Sequence, residues 1–153
     1  KFGYNHIEYI KSSEQNILEA LKVSDIVVGA VYVVGKEAPR VVLKEMINEM
    51  KPGTVMVDIS IDQGGCFETS KTTTHDDPTY LINGVVHYCV ANMPGSVPLT
   101  ATEALNEATL PFVIDIANKG LDNSLSEDIN LFNGLNLKNN EIVHKSVRES
   151  FNL

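Results

Sequence analysis

The sequence predicts an α/β fold: part of an open parallel sheet, followed by carboxyl-terminal helices. Three observations carry this. Apolar, partly β-branched runs recur at 25–34, 54–60 and 84–93. A helical stripe lies between the first two, and a helical periodicity takes over beyond residue 100. Strand, helix, strand, loop, strand at this spacing reads as a piece of a parallel sheet with crossover connections.

Taken in order, "HIEYI" (6–10) has the pattern of a short strand. "SSEQ" then opens a helix: Ser12 and Gln15 have capping-box spacing, and Ile17, Leu18 and Leu21 form one face. "DIVVGAVYVV" (25–34) is nearly continuous in apolar residues, as expected of a strand covered on both faces. After a turn at 35–39, "RVVLKEMINEM" places Val42, Leu43, Met46, Ile47 and Met50 on one helical stripe, ended by Pro52-Gly53. "TVMVDIS" (54–60) is the next buried strand. A polar segment runs from Asp62 to Asp77, and "GVVHYCVANM" (84–93) is the third strand.

Thr100 and Glu103 have capping-box spacing ahead of Ala104, Leu105, Ala108, Phe112, Val113 and Ile116. Pro111 is expected to kink or divide this helix, and Lys119-Gly120 to end it. Two shorter helical segments follow near 124–132 and 140–150. The expected division is a sheet-bearing domain over 1–98 and a helical segment over 99–153 that packs away from the sheet's central face.

Composition bounds the function. A chain of 153 residues can form one sizeable core. The net charge of −8 and the absence of any Lys/Arg run exclude a nucleic-acid partner. The longest apolar stretch, 26–35, is too short to span a bilayer, so no membrane partner is expected. No basic-then-apolar leader is visible, and the first residue is Lys, which suits a piece of a longer protein. Cys66 and Cys89 lack CxxC spacing and read as buried thiols rather than a disulfide, in a reducing, cytoplasmic compartment.

All three strands run into small or glycine-bearing turns: "GAVYVVG" (29–35), "ISIDQGG" (59–65) and "VANMPG" (90–95). In doubly wound sheets, ligands sit outside the carboxyl ends of the strands. Each turn alone is simply a turn; together they outline a nucleotide-type site. Asp62, at a strand end before Gly64-Gly65, is either a general base or an acid capping its turn. Asp58 lies within the strand pattern and suits a structural hydrogen bond. Asn92 directs an amide at a ligand or ties its loop. "HDDP" (75–78) reads as a solvated turn rather than a metal site, and His87 as a packing histidine. There is neither GxGxxG nor GxxxxGK[ST].

The stretches "SDIVVGAVYVVGKEAPRVV", "EMKPGTVMVDISIDQGGCFETSKTTTHDDPTY", "GVVHYCVANMPGSVP" and "ATLPFVIDIANKG" resemble the carboxyl-terminal part of the alanine dehydrogenases, over about residues 12 to 120. The related nucleotide-binding subunits of proton-translocating transhydrogenase share the KPG-strand-GG skeleton. They usually lack the acid of "IDQGG", so Asp62 favours the dehydrogenase; a non-catalytic NAD(H)-binding module of transhydrogenase type is the alternative.

The resemblance implies a Rossmann-like sheet, the second half of an NAD-binding domain. It implies reversible, NAD-dependent oxidative deamination of L-alanine to pyruvate and ammonium, with hydride passing between the alanine α-carbon and the nicotinamide. It places Asp62 as the acid–base group beside the amine carbon. Ile59, Ser60 and Ile61 would lie along the cofactor, with Val31 and Tyr32 beside them. Ser12 would fall on the adenosine side, and Val90, Ala91, Asn92 and Met93 near the nicotinamide, Asn92 facing the substrate. The glycines after Asp62 would keep the turn clear of the cofactor. The helical segment would pack on a preceding substrate domain, in a protein that forms a homo-oligomer. Two positions depart from the family pattern: Val34 where proline is usual, and Leu99 where a basic residue is usual. The chain alone is expected to lack turnover and to bind NAD weakly, because the phosphate-binding turn would precede residue 1.

Overall fold

A computed structural model describes residues 6–152. It forms two compact units: one runs up to Tyr32 and from Glu37 to Ala91, the other comprises Val33–Lys36 and the chain from Asn92 onward.

The first unit is a four-stranded sheet. Strands β1 (Ile26–Gly29), β2 (Val55–Asp58) and β4 (Val85–Tyr88) are parallel, and β3 (Thr79–Ile82) pairs antiparallel with β4, giving the order β1-β2-β4-β3. Register aligns Val27, Met56 and His87 across the three parallel strands, and Gly29 with Asp58. The α/β class and the parallel sheet are thus as the sequence predicts, but each strand is four residues long. The β3–β4 hairpin lies within the segment that the sequence marks only as polar loop and strand start. Its signal is the dipeptide Asn83-Gly84, both residues at positive φ (51° and 80°), the two-residue turn whose twist suits a hairpin.

Helix α1 (Glu14–Val23) begins one residue later than its expected cap: Ser13, not Ser12, accepts the Asn16 amide, at 3.3 Å. "HIEYI" forms no strand; residues 7–10 are irregular and exposed. The expected helix over 40–50 contracts to a 3-10 helix, Lys44–Glu49, because Val42 is drawn into a bridge with Phe67. Leu21 of α1, Met46, Ile47 and Met50 bury against Met56, Phe67 and Val85, forming the core. This core covers one face of the sheet. On the other, Ile26 (67% exposed) and Val28 (56%) lie open, so their apolar character is not spent on the core of this chain.

In the second unit, α2 (Pro98–Lys119) is one uninterrupted helix with Pro111 inside it, and starts at Pro98 rather than at the Thr100 box. Pro98 suits the first turn, where a helix needs no backbone N–H. Then come α3 (Leu121–Glu127) and α4 (Ile129–Asn133), the latter capped by Asp128, which accepts the Asn130 amide at 2.8 Å. The expected helix over 140–150 is instead a small hairpin, β5 (Leu137–Lys138) and β6 (Glu141–Ile142), followed by α5 (Lys145–Ser150). Asn139 and Asn140, at φ 51° and 65°, make its turn. Lys36 pairs with Glu149 at 2.7 Å and ties the 33–36 segment to α5. Among the described residues no helix is long and apolar enough to cross a membrane.

Candidate functional site

β2 ends at Asp58, and the chain passes at once into a 3-10 helix, Ile59–Gln63. Along this tight winding the side chains divide between buried and exposed. Asp58, Ser60 and Ile61 turn inward, at 0%, 6% and 6% exposure, while Ile59 and Asp62 face outward. The Ser60 hydroxyl donates to the Val31 carbonyl at 2.8 Å, stitching the carboxyl end of β2 to the segment after β1. Between these two strand ends lies a cleft of about 210 Å³, lined by Ala30, Val31, Tyr32, Ile59, Ser60, Asp62 and Gln63. It sits where an open parallel sheet places its ligands, outside the carboxyl ends of adjacent strands.

Beneath the cleft, Asp58 organises the turn. Its Oδ2 accepts the Cys66 amide at 2.8 Å, the Phe67 amide at 3.4 Å and the Ser70 hydroxyl; its Oδ1 lies 3.5 Å from the Cys66 thiol. This is the structural role the strand position suggests. Burial, reinforced by the Asp58 charge, pushes the Cys66 thiol up to about 11. Gly65, at φ 84°, is crowded from this side: a Cβ there would meet Ser70 Cβ at 2.7 Å and Asp58 Oδ2 at 2.8 Å. The packing below the turn by itself demands glycine at 65.

His87 is a packing histidine, fully buried. Its Nε2 is 2.8 Å from the Thr69 hydroxyl, its Nδ1 3.2 Å from the Val85 carbonyl, and its ring stacks on Tyr80 at 5.0 Å. Burial holds it below the ordinary histidine range. Residues 75–77 form a bend in which Thr74 accepts the Asp77 amide at 3.3 Å.

The structure brings together five of the residues singled out in sequence: Val31, Tyr32, Ile59, Ser60 and Asp62 line one cleft. Ile61 does not join them: its side chain is buried, and it is not among the residues that line the cleft. Ser12 is exposed in the irregular segment before α1. Val90 is fully buried, bridged to Thr73, and Ala91 donates to the Thr73 carbonyl at 3.3 Å; neither lines the cleft. Asn92 and Met93 belong to the second unit, where Asn92 adopts φ 53° and opens a 3-10 turn, Met93–Ser96. Sequence reasoning missed Ala30 and Gln63 in the cleft wall, and Arg40, whose guanidinium reaches the Gly64 and Gly65 carbonyls. Nothing in a lone arginine after "KEAP" marks it in advance.

A mostly parallel sheet with a cleft at the carboxyl ends of its strands has the architecture of a nucleotide-binding type of α/β domain. The particular family is given by comparison. The model for "Alanine dehydrogenase/PNT, C-terminal domain" matches residues 1–145, and the chain belongs to this family. It is 51% identical over 142 residues to an alanine dehydrogenase of Halomonas elongata, covering 93% of this chain and 38% of that protein. It is 51% identical over 153 residues to alanine dehydrogenase 2 of Staphylococcus aureus, covering 99% of this chain and 41% of that protein. A solved L-alanine dehydrogenase superposes with a TM-score of 0.80 at 45% identity, over 99% of this chain and 41% of that one. A transhydrogenase from Sinorhizobium meliloti shares the fold, with a TM-score of 0.65 at 22% identity over 88% of this chain and 36% of that one. The chain thus matches a carboxyl-terminal portion, about two fifths, of the curated relatives.

Proposed function

We propose that this segment supplies the nicotinamide-side wall and the acid–base group of an NAD-dependent L-alanine dehydrogenase, which interconverts L-alanine with pyruvate and ammonium. The observation that carries the reading is the cleft in which Val31, Tyr32, Ile59 and Ser60 surround an outward-facing Asp62. Its walls suit a flat, partly apolar ring: Tyr32 and Ile59 are 64% and 53% exposed, large apolar surfaces left uncovered at a strand end. NAD fits these residues on that ground, and when bound it would take up the hydride from the substrate α-carbon.

The protein's own contribution is positional and acid–base. Val31 and Tyr32 form one wall, Ile59 and Ser60 the other. Among the described residues lining the cleft Asp62 is the one carboxylate, suited to hold the substrate ammonium and then to take or return its proton. Ser60 is engaged with the Val31 carbonyl, so it fixes the spacing of the two walls rather than serving as a free donor. Asp62 also weighs for the dehydrogenase over a non-catalytic NAD(H)-binding module.

The helical unit fits a packing role. Leu99, Leu105 and Val113 of α2 are 73%, 65% and 59% exposed, an apolar surface suited to covering by the rest of such a protein or by another subunit of a homo-oligomer. The free, fully buried cysteines suit a reducing compartment, and we assign the enzyme to the cytoplasm.

The test is an NAD+ titration of the labelled 153-residue chain followed by amide chemical shifts. Saturable shifts concentrated at 30–32 and 59–63 are expected; shifts confined to other surfaces would overturn the reading.

A further inference from the structure

Arg40 lies in the extended segment before the Lys44–Glu49 helix, remote in sequence from Asp62, yet its guanidinium closes the turn that follows Asp62. Nη1 donates to the Gly64 carbonyl at 2.5 Å and also to the Gly65 carbonyl. The opposite ends of the same two peptide units are held as well. The Gly65 amide donates to the Ser60 carbonyl at 2.9 Å, and the Cys66 amide to Asp58 Oδ2 at 2.8 Å. Each peptide plane is therefore fixed at both its C=O and its N–H.

The electrostatics point the same way. The peptide between Gly65 and Cys66 has a guanidinium on its carbonyl oxygen and a carboxylate on its amide hydrogen. Its dipole is aligned between a positive and a negative charge, so the attraction of Arg40 for Asp58 passes through the peptide rather than through a direct ion pair. Charge-assisted hydrogen bonds of this kind are shorter and stronger than neutral ones. The neighbouring Ala38 amide adds a further tie, to the Gln63 carbonyl at 2.9 Å. Asp62 sits immediately before this fixed turn, on a five-residue 3-10 helix whose left-handed cap is Gly64.

We propose that Arg40 is a positioning residue for Asp62: together with Asp58 it locks the Gly64–Cys66 turn, and so holds the Asp62 carboxylate at the reacting centre. The assignment rests on Asp62 being the acid–base group. Arg40 is exposed and makes no part of the core, so its removal leaves the fold in place while loosening the turn. A misplacement on the scale of 1 Å costs about a hundredfold in rate.

The experiment compares Arg40→Met, Arg40→Lys, Arg40→Ala and Asp62→Asn in the intact dehydrogenase that carries this segment, by L-alanine-dependent NADH formation. Arg40→Met is expected to lower kcat by about 10- to 100-fold while KM for alanine changes far less. Arg40→Lys, which keeps the charge but not the planar fork, should fall between it and the parent. In Arg40→Ala, added guanidinium ion should restore part of the lost rate, which a merely structural defect would not allow. Amide exchange should quicken at 64–66 and stay unchanged in β2 and β4. Parent-like kcat in Arg40→Met and Arg40→Ala would overturn the positioning role. So would a loss in Arg40→Ala that guanidinium leaves untouched. If Asp62→Asn retains the parent rate, the acid–base reading fails instead, whatever the Arg40 variants do.

Discussion

Asp58 Oδ2 accepts the Cys66 amide at 2.8 Å, joining the last residue of β2 to the far side of the turn that carries Asp62. Two acids four positions apart thus have opposite duties. Asp58 is sealed beneath the turn, and Asp62 faces the cleft. The sealed acid makes the exposed one geometrically defined.

The two glycines of the turn should respond very differently to a methyl group. Both have positive φ, but a Cβ at Gly64 meets nothing nearer than 3.8 Å, whereas at Gly65 it runs into Ser70 and Asp58. Gly64→Ala should cost about 1 kcal/mol, the left-handed penalty alone. Gly65→Ala should cost about 2–4 kcal/mol, adding overpacking to that penalty. Urea unfolding of both variants measures the difference; equal costs would mean that the turn is not packed as described.

The thiols should be silent in the native protein. Cys66 and Cys89 are both 0% exposed, and Cys66 is pushed up to about 11 by burial and the Asp58 charge, so its reactive thiolate is scarce near neutral pH. A charged disulfide reagent is expected to label neither until the chain opens, with labelling rates that track urea concentration. Rapid labelling in native buffer would contradict the packing of both residues.

His87 makes stability depend on mild acid. Its folded pKa lies below the unfolded value of 6.5, because burial disfavours the charged ring. Below 6.5 the unfolded chain binds a proton that the native state resists, so stability rises with pH through this window and is lost as pH falls from 6.5 toward the folded pKa. The unfolding midpoint in urea should drop between neutral pH and pH 5 (about one unit or more below that value). His87→Gln, though less stable at neutral pH, should show a flatter profile; an unchanged slope would assign the acid sensitivity elsewhere.

How much of this was legible in the sequence follows from what each signal reports. The parallel strands announce themselves because β-branched runs such as "IVVG" and "VMVD" are recognisable whatever packs on them. The β3–β4 hairpin escaped because "TYLI" is short and half polar, although Asn83-Gly84 was available as a turn signal. The expected helix over 40–50 failed for a tertiary reason: its apolar stripe is real and buried, but Val42 bonds to the Phe67 segment and the chain stays extended until Lys44. In the site, a strand end followed by Asp-Gln-Gly-Gly pointed at Asp62. The inward turn of Ile61 needed the 3-10 winding, and the Arg40 clamp needed coordinates, since its partners are backbone carbonyls that carry no sequence signature.

The proposed acid–base role of Asp62 is tested most directly by the turnover of Asp62→Asn in a full-length dehydrogenase that includes this sequence, measured as L-alanine-dependent NADH formation beside Asp58→Asn as a stability control. The account predicts that Asp62→Asn folds with parent-like stability, since its side chain is exposed, and loses about 10²- to 10⁴-fold in kcat. A parent-like rate from Asp62→Asn would contradict the proposed acid–base role.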